Sequence, residues 1–256
     1  MNYMSEVAYR IRPILTGTIK VDQGVYLTWG RGMGNKVAIP ATAWLIEGAQ
    51  YPILVDTGMC DSERATQWHH EGVQQPGQDI VNQLRSKGIE PEDVGMLILT
   101  HLHWDHTSNM KAFSKARCIV QRRELAFAID PIPQYYRSYE AYQLGLTAPF
   151  RGVEFDVVDG EKELLPGIAV FPTFGHSPGH QSVEVHTDKG PYIIAGDAVM
   201  VYDNLKGDPE ARFPFIPPAR FTNAIESWES LKAIVSRGTH VLPGHDMRVF
   251  DMEMYP

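Results

Sequence analysis

Three histidines and a carboxylate fall within six residues of this chain, His101-Leu102-His103-Trp104-Asp105-His106, one residue after Val94-Gly95-Met96-Leu97-Ile98-Leu99. That apolar run has the length and composition of a buried strand. Imidazole and carboxylate are the usual nitrogen and oxygen donors for Zn²⁺ and similar cations. A strand end is a stiff platform on which alternate residues point the same way, so His101 and His103 can converge on one ion. Asp105 and His106 lie beyond the turn and can serve a second ion or its water.

The rest of the chain supplies partners in similar situations. Phe174-Gly175-His176-Ser177-Pro178-Gly179-His180, Ile194-Ala195-Gly196-Asp197 and Leu242-Pro243-Gly244-His245 each follow an apolar run and set a possible ligand beside glycine, where the backbone turns tightly. One such residue alone is an ordinary structural or solvated side chain. Seven of them, His101, His103, Asp105, His106, His176, Asp197 and His245, form a pattern that chance does not account for.

Around these motifs the chain alternates strands and helices in two similar halves. In the first, Val7 to Leu15, Thr18 to Val21 and Val25 to Trp29 read as strands, with Gly17 and Gly24 as turns. Gly30, Gly32 and Gly34 read as a flexible loop at the site rim, because no helix signature follows as a nucleotide loop would require. Ala43–Glu47 and Tyr51–Gly58 suggest a hairpin. Residues 59–78 read as a long polar loop, and Asp79–Gly88 as a helix. Tyr135, Tyr139 and Tyr142 fall at helical spacing. In the second half, residues 155–158, 168–171, 182–186, 192–195 and 239–245 read as strands or their loops. Asn223–Arg237 reads as an amphipathic helix stopped by Gly238. Two sheets with helices outside make a four-layer α/β/β/α sandwich, with the site at strand ends.

With 256 residues the chain can bury a large core, and one domain spanning 1–256 is expected. The formal charge of −8 disfavours a general nucleic-acid or anionic-membrane binder. Met1–Glu6 carries no secretion signal, and no apolar run is long enough to span a bilayer. These features point to a cytoplasmic protein with a small-molecule substrate, as monomer or homodimer. Cys60 and Cys118 are expected as free thiols.

On the residues from Val55-Asp56-Thr57-Gly58 to His245, the chain resembles the metallo-β-lactamase superfamily. Thr100–His106 and Gly175–Ser182 are most similar to its N-acyl-homoserine lactonase group. The resemblance implies the metallo-β-lactamase fold and two divalent metals, Zn²⁺ first, with Fe, Co or Mn as alternatives. It implies His101, His103 and His176 on one metal, Asp105, His106 and His245 on the other, and Asp197 bridging. His180 resembles a structural histidine, and Asp56 would orient a ligand. His69, His70, His186 and His240 have no counterpart and read as surface or structural residues. The implied reaction is opening of a lactone by metal-bridging hydroxide, with Asp105 passing a proton to the leaving oxygen. Alternatives are another hydrolase of this fold, acting on an ester, cyclic amide, β-lactam or thioester, or a mononuclear iron persulfide dioxygenase. One departure stands out. The lactonase group carries tyrosine three residues after the bridging aspartate, where this chain has Met200, so Tyr202 is the candidate replacement. Trp29, Met33, Met59, Trp68, Trp104 and Tyr139 are candidate pocket residues.

Overall fold

A computed structural model of the chain describes residues 8–237 and 240–256. The expected strand start at Val7, the helix stop at Gly238 and Thr239 lie outside the described residues, as does the Met1–Glu6 segment.

The first half forms strands β1 (Arg10–Asp22), β2 (Lys36–Glu47), β3 (Ile53–Val55), β4 (Gly72–Val73), β5 (Met96–Ile98), β6 (Arg117–Gln121) and β7 (Phe155–Val158). They make one sheet in the order β4-β1-β2-β3-β5-β6-β7. Strands β8 (Lys162–Leu165), β9 (Ile168–Pro172), β10 (Gln181–Thr187), β11 (Gly190–Gly196) and β12 (His240–Pro243) make a second, ordered β12-β11-β10-β9-β8. The helices are α1 (Ser62–Trp68), α2 (Ile80–Arg85), α3 (Trp104–Thr107), α4 (Arg122–Ile129) and α5 (Ala224–Ser236). None among the described residues is long and apolar enough to cross a membrane.

The two-residue side-chain period explains the layering. Trp44, Ile46, Ile53, Val55, Met96 and Ile98 point from the first sheet toward Val170, Val183, Val185 and Ile194 of the second, forming the inter-sheet core. Their neighbours Leu45, Leu54 and Leu97 point the other way, onto Ile80 and Leu84 of α2. On the far side, Phe171, Ile193 and Ala195 meet Leu231 and Ile234 of α5. Strands buried on both faces need continuous apolar runs, which is what Val94–Leu99 supplies. The result is the expected α/β/β/α sandwich.

Several local readings change. Gly17 is not a turn: β1 runs unbroken through it as a bulge, where register shifts between Leu15 and Gly17. Any side chain there would collide with Met59 Sδ, and the backbone sits at φ +148°. Val25–Trp29 is not a strand, because Gln23–Leu27 closes into a short π-helical turn capped by the Asp22 carboxylate. The 59–78 segment contains α1, with Asp61 accepting from the Arg64 amide at its start, and the short edge strand β4. Tyr135 and Tyr142 sit in separate 3₁₀ turns rather than along one helix, and Tyr142 is 61% exposed. Both cysteines are free and buried.

Candidate metal centre

Strand ends from both sheets converge on one spot. β3 lies parallel to β5, and β11 parallel to β12, so Asp56, His101, Asp197 and His245 all follow strand C-termini. The turn after His101 enters α3 at His103, which places Asp105 and His106 in the first turn of that short helix. His176 comes from the loop joining β9 to β10.

The seven residues are brought together and buried. His101, His103 and His176 form one group of donors, and Asp105, His106 and His245 another, the donor atoms within each lying within 4.8 Å of one another. Asp197 stands between them. Its Oδ2 is 3.2 Å from His176 Nε2, while Oδ1 is 3.3 Å from His106 Nε2 and 3.1 Å from His245 Nε2. His176 Nε2 also faces His103 Nδ1 at 3.1 Å. Asp105 lies on the cavity side, 3.8 Å from both His106 and His245.

In four of the five histidines, hydrogen bonds fix which nitrogen faces inward; in His103 it is Nδ1 that faces His176. His176 Nδ1 donates to the Arg220 carbonyl (3.1 Å), and His245 Nδ1 to the Pro40 carbonyl (2.8 Å). His106 Nδ1 donates to Asp56 Oδ2 at 2.7 Å. Thr100 Oγ1 spends its single proton on Asp56, so it accepts from His101 Nδ1 at 3.0 Å. In all four rings Nδ1 is committed and Nε2 is turned to the centre, the outer-partner arrangement metal-binding histidines require. His101 Nε2, His103 Nε2, His106 Nε2 and Asp197 Oδ1 are buried with no hydrogen-bond partner. Buried polar atoms left bare are costly, and a divalent cation satisfies such a set. The residues therefore fit a pair of metals with nitrogen and oxygen ligands.

Electrostatics agree. Burial, reinforced by neighbouring imidazoles, holds His101 and His103 well below the ordinary histidine range, and His176 is held at about 4. Neutral rings have lone pairs to offer. Burial also pulls on His106 and His245, but Asp197 and Asp105 outweigh it and both sit above the ordinary value. The carboxylates thus draw positive charge into the centre. His180 is different. Its Nδ1 bonds Thr173 Oγ1 at 2.8 Å, and its Nε2 accepts the Asp197 amide at 3.0 Å, so no lone pair remains for a metal. Its work is to position Asp197. Asp56, at φ +60°, accepts from the Thr100 amide, the Thr100 hydroxyl and His106. A non-glycine residue in this conformation stores strain, here where a ligand must be aimed.

Two buried carboxylates carry no sequence signal and were not expected. Glu124 accepts from Leu102 N (2.9 Å), Tyr139 Oη (2.9 Å), Ser177 Oγ (2.6 Å) and Gly179 N (3.0 Å). It ties the His101–His103 loop to the His176 loop. Gly179 approaches so closely that a side chain there would sit 1.9 Å from the Glu124 amide nitrogen. Glu140 accepts two bonds from Arg64 and faces His69 Nε2 at 3.0 Å, and His69 stacks on Trp104 with ring centroids 4.1 Å apart.

A cavity of about 240 Å³ opens onto the centre, lined by His103, Asp105, His176, Asp197 and His245 together with residues of the flanking loops. His69 and His70, which read from sequence as surface or structural residues, line it too. Of the expected pocket residues only Trp104 is present. Trp29 and Met33 are exposed, Met59 is packed in a core cluster, and Tyr139 is buried on Glu124. The glycine-rich 30–34 loop does not line the cavity. Tyr202 is also absent from it. The Asn204 side chain accepts from the Met200 and Val201 amides, and Asp246 accepts the Tyr202 amide. This turn packs the phenol against the inter-sheet core, with Arg248 over its ring, while Met200 occupies the cavity wall. Tyr202 thus stands apart from the cavity, contrary to its expected catalytic place.

Comparison with known proteins places these features in a family. The sequence profile of the metallo-beta-lactamase superfamily matches residues 38–245. An N-acyl homoserine lactonase of Bacillus sp is 32% identical over 227 residues, covering 84% of each chain. The N-acyl homoserine lactonase AttM of Azorhizobium caulinodans is 30% identical over 233 residues, covering 84% of this chain and 85% of its own. A solved N-acyl homoserine lactone hydrolase, with N-hexanoyl-L-homoserine at its catalytic metal centre, superposes with a TM-score of 0.79 at 25% identity, covering 94% of this chain and 95% of that one. Profile, relatives and the histidine–aspartate centre agree: this chain belongs to the metallo-beta-lactamase superfamily.

Proposed function

We propose that this protein is a dinuclear metal-dependent hydrolase that opens a lactone, an N-acyl homoserine lactone or a related cyclic ester. The observation that carries this reading is Asp197, whose two carboxylate oxygens face the two histidine groups separately. His101, His103 and His176 would hold one ion and Asp105, His106 and His245 the other, with Asp197 available to both. Zinc is the first choice, and iron, cobalt or manganese suit the same donors. Two such cations supply an acidified water and a Lewis acid for the ester carbonyl.

The chain's own residues do the rest. Asp56, Thr100 and the carbonyls of Pro40 and Arg220 hold the rings in place, so no reorganisation is needed during turnover. Asp105, at the cavity edge, receives the proton of the attacking water and returns it to the leaving oxygen. In a lactone that oxygen stays tethered, and the product is a hydroxy acid. The similarity to curated lactonases over 84% of the chain supports the choice of bond.

The test is a pH-stat screen of lactones, esters and cyclic amides with metal-loaded protein of measured metal content. Two metals per chain and acid release from lactones are expected. Asp197→Asn should abolish that release while the far-UV spectrum is kept. One iron per chain with oxygen consumption would instead establish the oxygenase alternative.

A further inference from the structure

Two arginines reach the mouth of the cavity without an acidic partner among the described residues, in a chain whose formal charge is −8. Elsewhere Arg12, Arg64, Arg237 and Arg248 each hold a carboxylate. Arg137 and Arg220 do not, although both line the cavity. The cavity's own carboxylates, Asp105 and Asp197, are turned to the histidines.

Arg220 is held in place rather than loose. Its guanidinium lies 4.8 Å from the Tyr135 ring centre and 5.9 Å from that of Tyr26, and it donates one bond, at 3.3 Å, to Ser138 Oγ. Its carbonyl takes the His176 Nδ1 proton, so its backbone is tied to the centre. Most of its donors remain free in a half-buried setting, where a planar guanidinium grips a carboxylate or phosphate strongly. The remaining lining includes Ile19, Val21, Ile39 and Met200, which suits a small apolar ring. About 240 Å³ is below the range typical of pockets for drug-sized ligands.

We propose that the cavity selects a compact lactone or ester bearing an anionic group, carboxylate or phosphate, which Arg220 and Arg137 bind while the ester carbonyl meets the histidine–aspartate centre. The inference rests on the hydrolase reading and narrows its substrate class. Charge-assisted hydrogen bonds are among the stronger ones, so a preference of about tenfold or more is expected.

The test compares matched pairs on the metal-loaded protein. 5-Oxotetrahydrofuran-2-carboxylate is set against its neutral carboxamide, and 5-(hydroxymethyl)dihydrofuran-2-one against its phosphate, which tells carboxylate from phosphate. The charged member of at least one pair should have a kcat/KM about tenfold or more higher, through KM, with the ratio shrinking as salt rises. In Arg137→Gln/Arg220→Gln the ratio should fall to near one. A ratio near one in the wild type, or one that survives the double substitution, overturns the proposal. If no member is hydrolysed although N-hexanoyl homoserine lactone is, the compact anionic substrate is ruled out; if no lactone is hydrolysed, the hydrolase reading fails on its own. Calorimetric binding of the carboxylate and the carboxamide then decides the anion preference, and equal affinities sink it.

Discussion

Removing the Glu124 carboxylate should loosen the site from behind. The residue is fully buried and accepts four hydrogen bonds, two from backbone amides that cannot turn elsewhere, Leu102 N and Gly179 N. Burial pushes its carboxyl above the usual range, while the four donors oppose that rise. In Glu124→Ala both amides lose their acceptor, and each buried donor left bare costs about 1–3 kcal/mol. The sum of about 2–6 kcal/mol is a large part of a folding free energy of about 5–15 kcal/mol. Glu124→Gln keeps the volume and one accepting oxygen but presents an amide NH₂ to donors, so a loss of about half that size is expected. Urea unfolding of the metal-free protein reads the stability. Chelator competition reads the metal, which should leave more readily because Leu102 separates His101 from His103 and Gly179 follows His176 by three residues. If Glu124→Ala shifted the unfolding free energy by less than about 1 kcal/mol and left metal affinity unchanged, the clamp would be refuted.

Three further outcomes follow from the same geometry. Asp56→Asn removes one of the oxygens that hold Thr100 and His106, and should weaken metal affinity about 10–100-fold in a chelator titration without unfolding the chain. Tyr202→Phe should leave kcat and KM for the best lactone within about twofold, since the phenol packs on the inter-sheet core; a large fall in kcat would return Tyr202 to the reaction. Burial pushes the Cys60 thiol up to about 12 and Cys118 to about 11, so at pH 8 neither should react with a disulfide reagent until denaturant is added.

The ligand set was legible because its members are rare residue types placed just after apolar runs, and strand ends cannot scatter their side chains. His101, Asp197 and His245 each needed only a local reading of strand, turn and donor. The misread segments share a different property: their meaning depends on what lies across space. Gly17 looks like any turn glycine until Met59 fills the room beside it. Tyr202 looked like a reachable phenol because two residues of offset seem small, but the Asn204 and Asp246 side chains fix the turn that sends it away. Glu124 sits in an ordinary helical sequence, and its four donors come from 15 to 55 positions along the chain. Arg220 is an isolated arginine after a proline run, yet its side chain touches Ser138 and its carbonyl holds His176. Strand-end chemistry is written in consecutive residues, so a single sequence exposes the candidate metal centre. The groups that choose a substrate stand on irregular loops brought together only by packing. That division explains why a cluster of metal-type ligands was readable from His101–His106, while Arg137 and Arg220, the groups proposed to choose the substrate, were not.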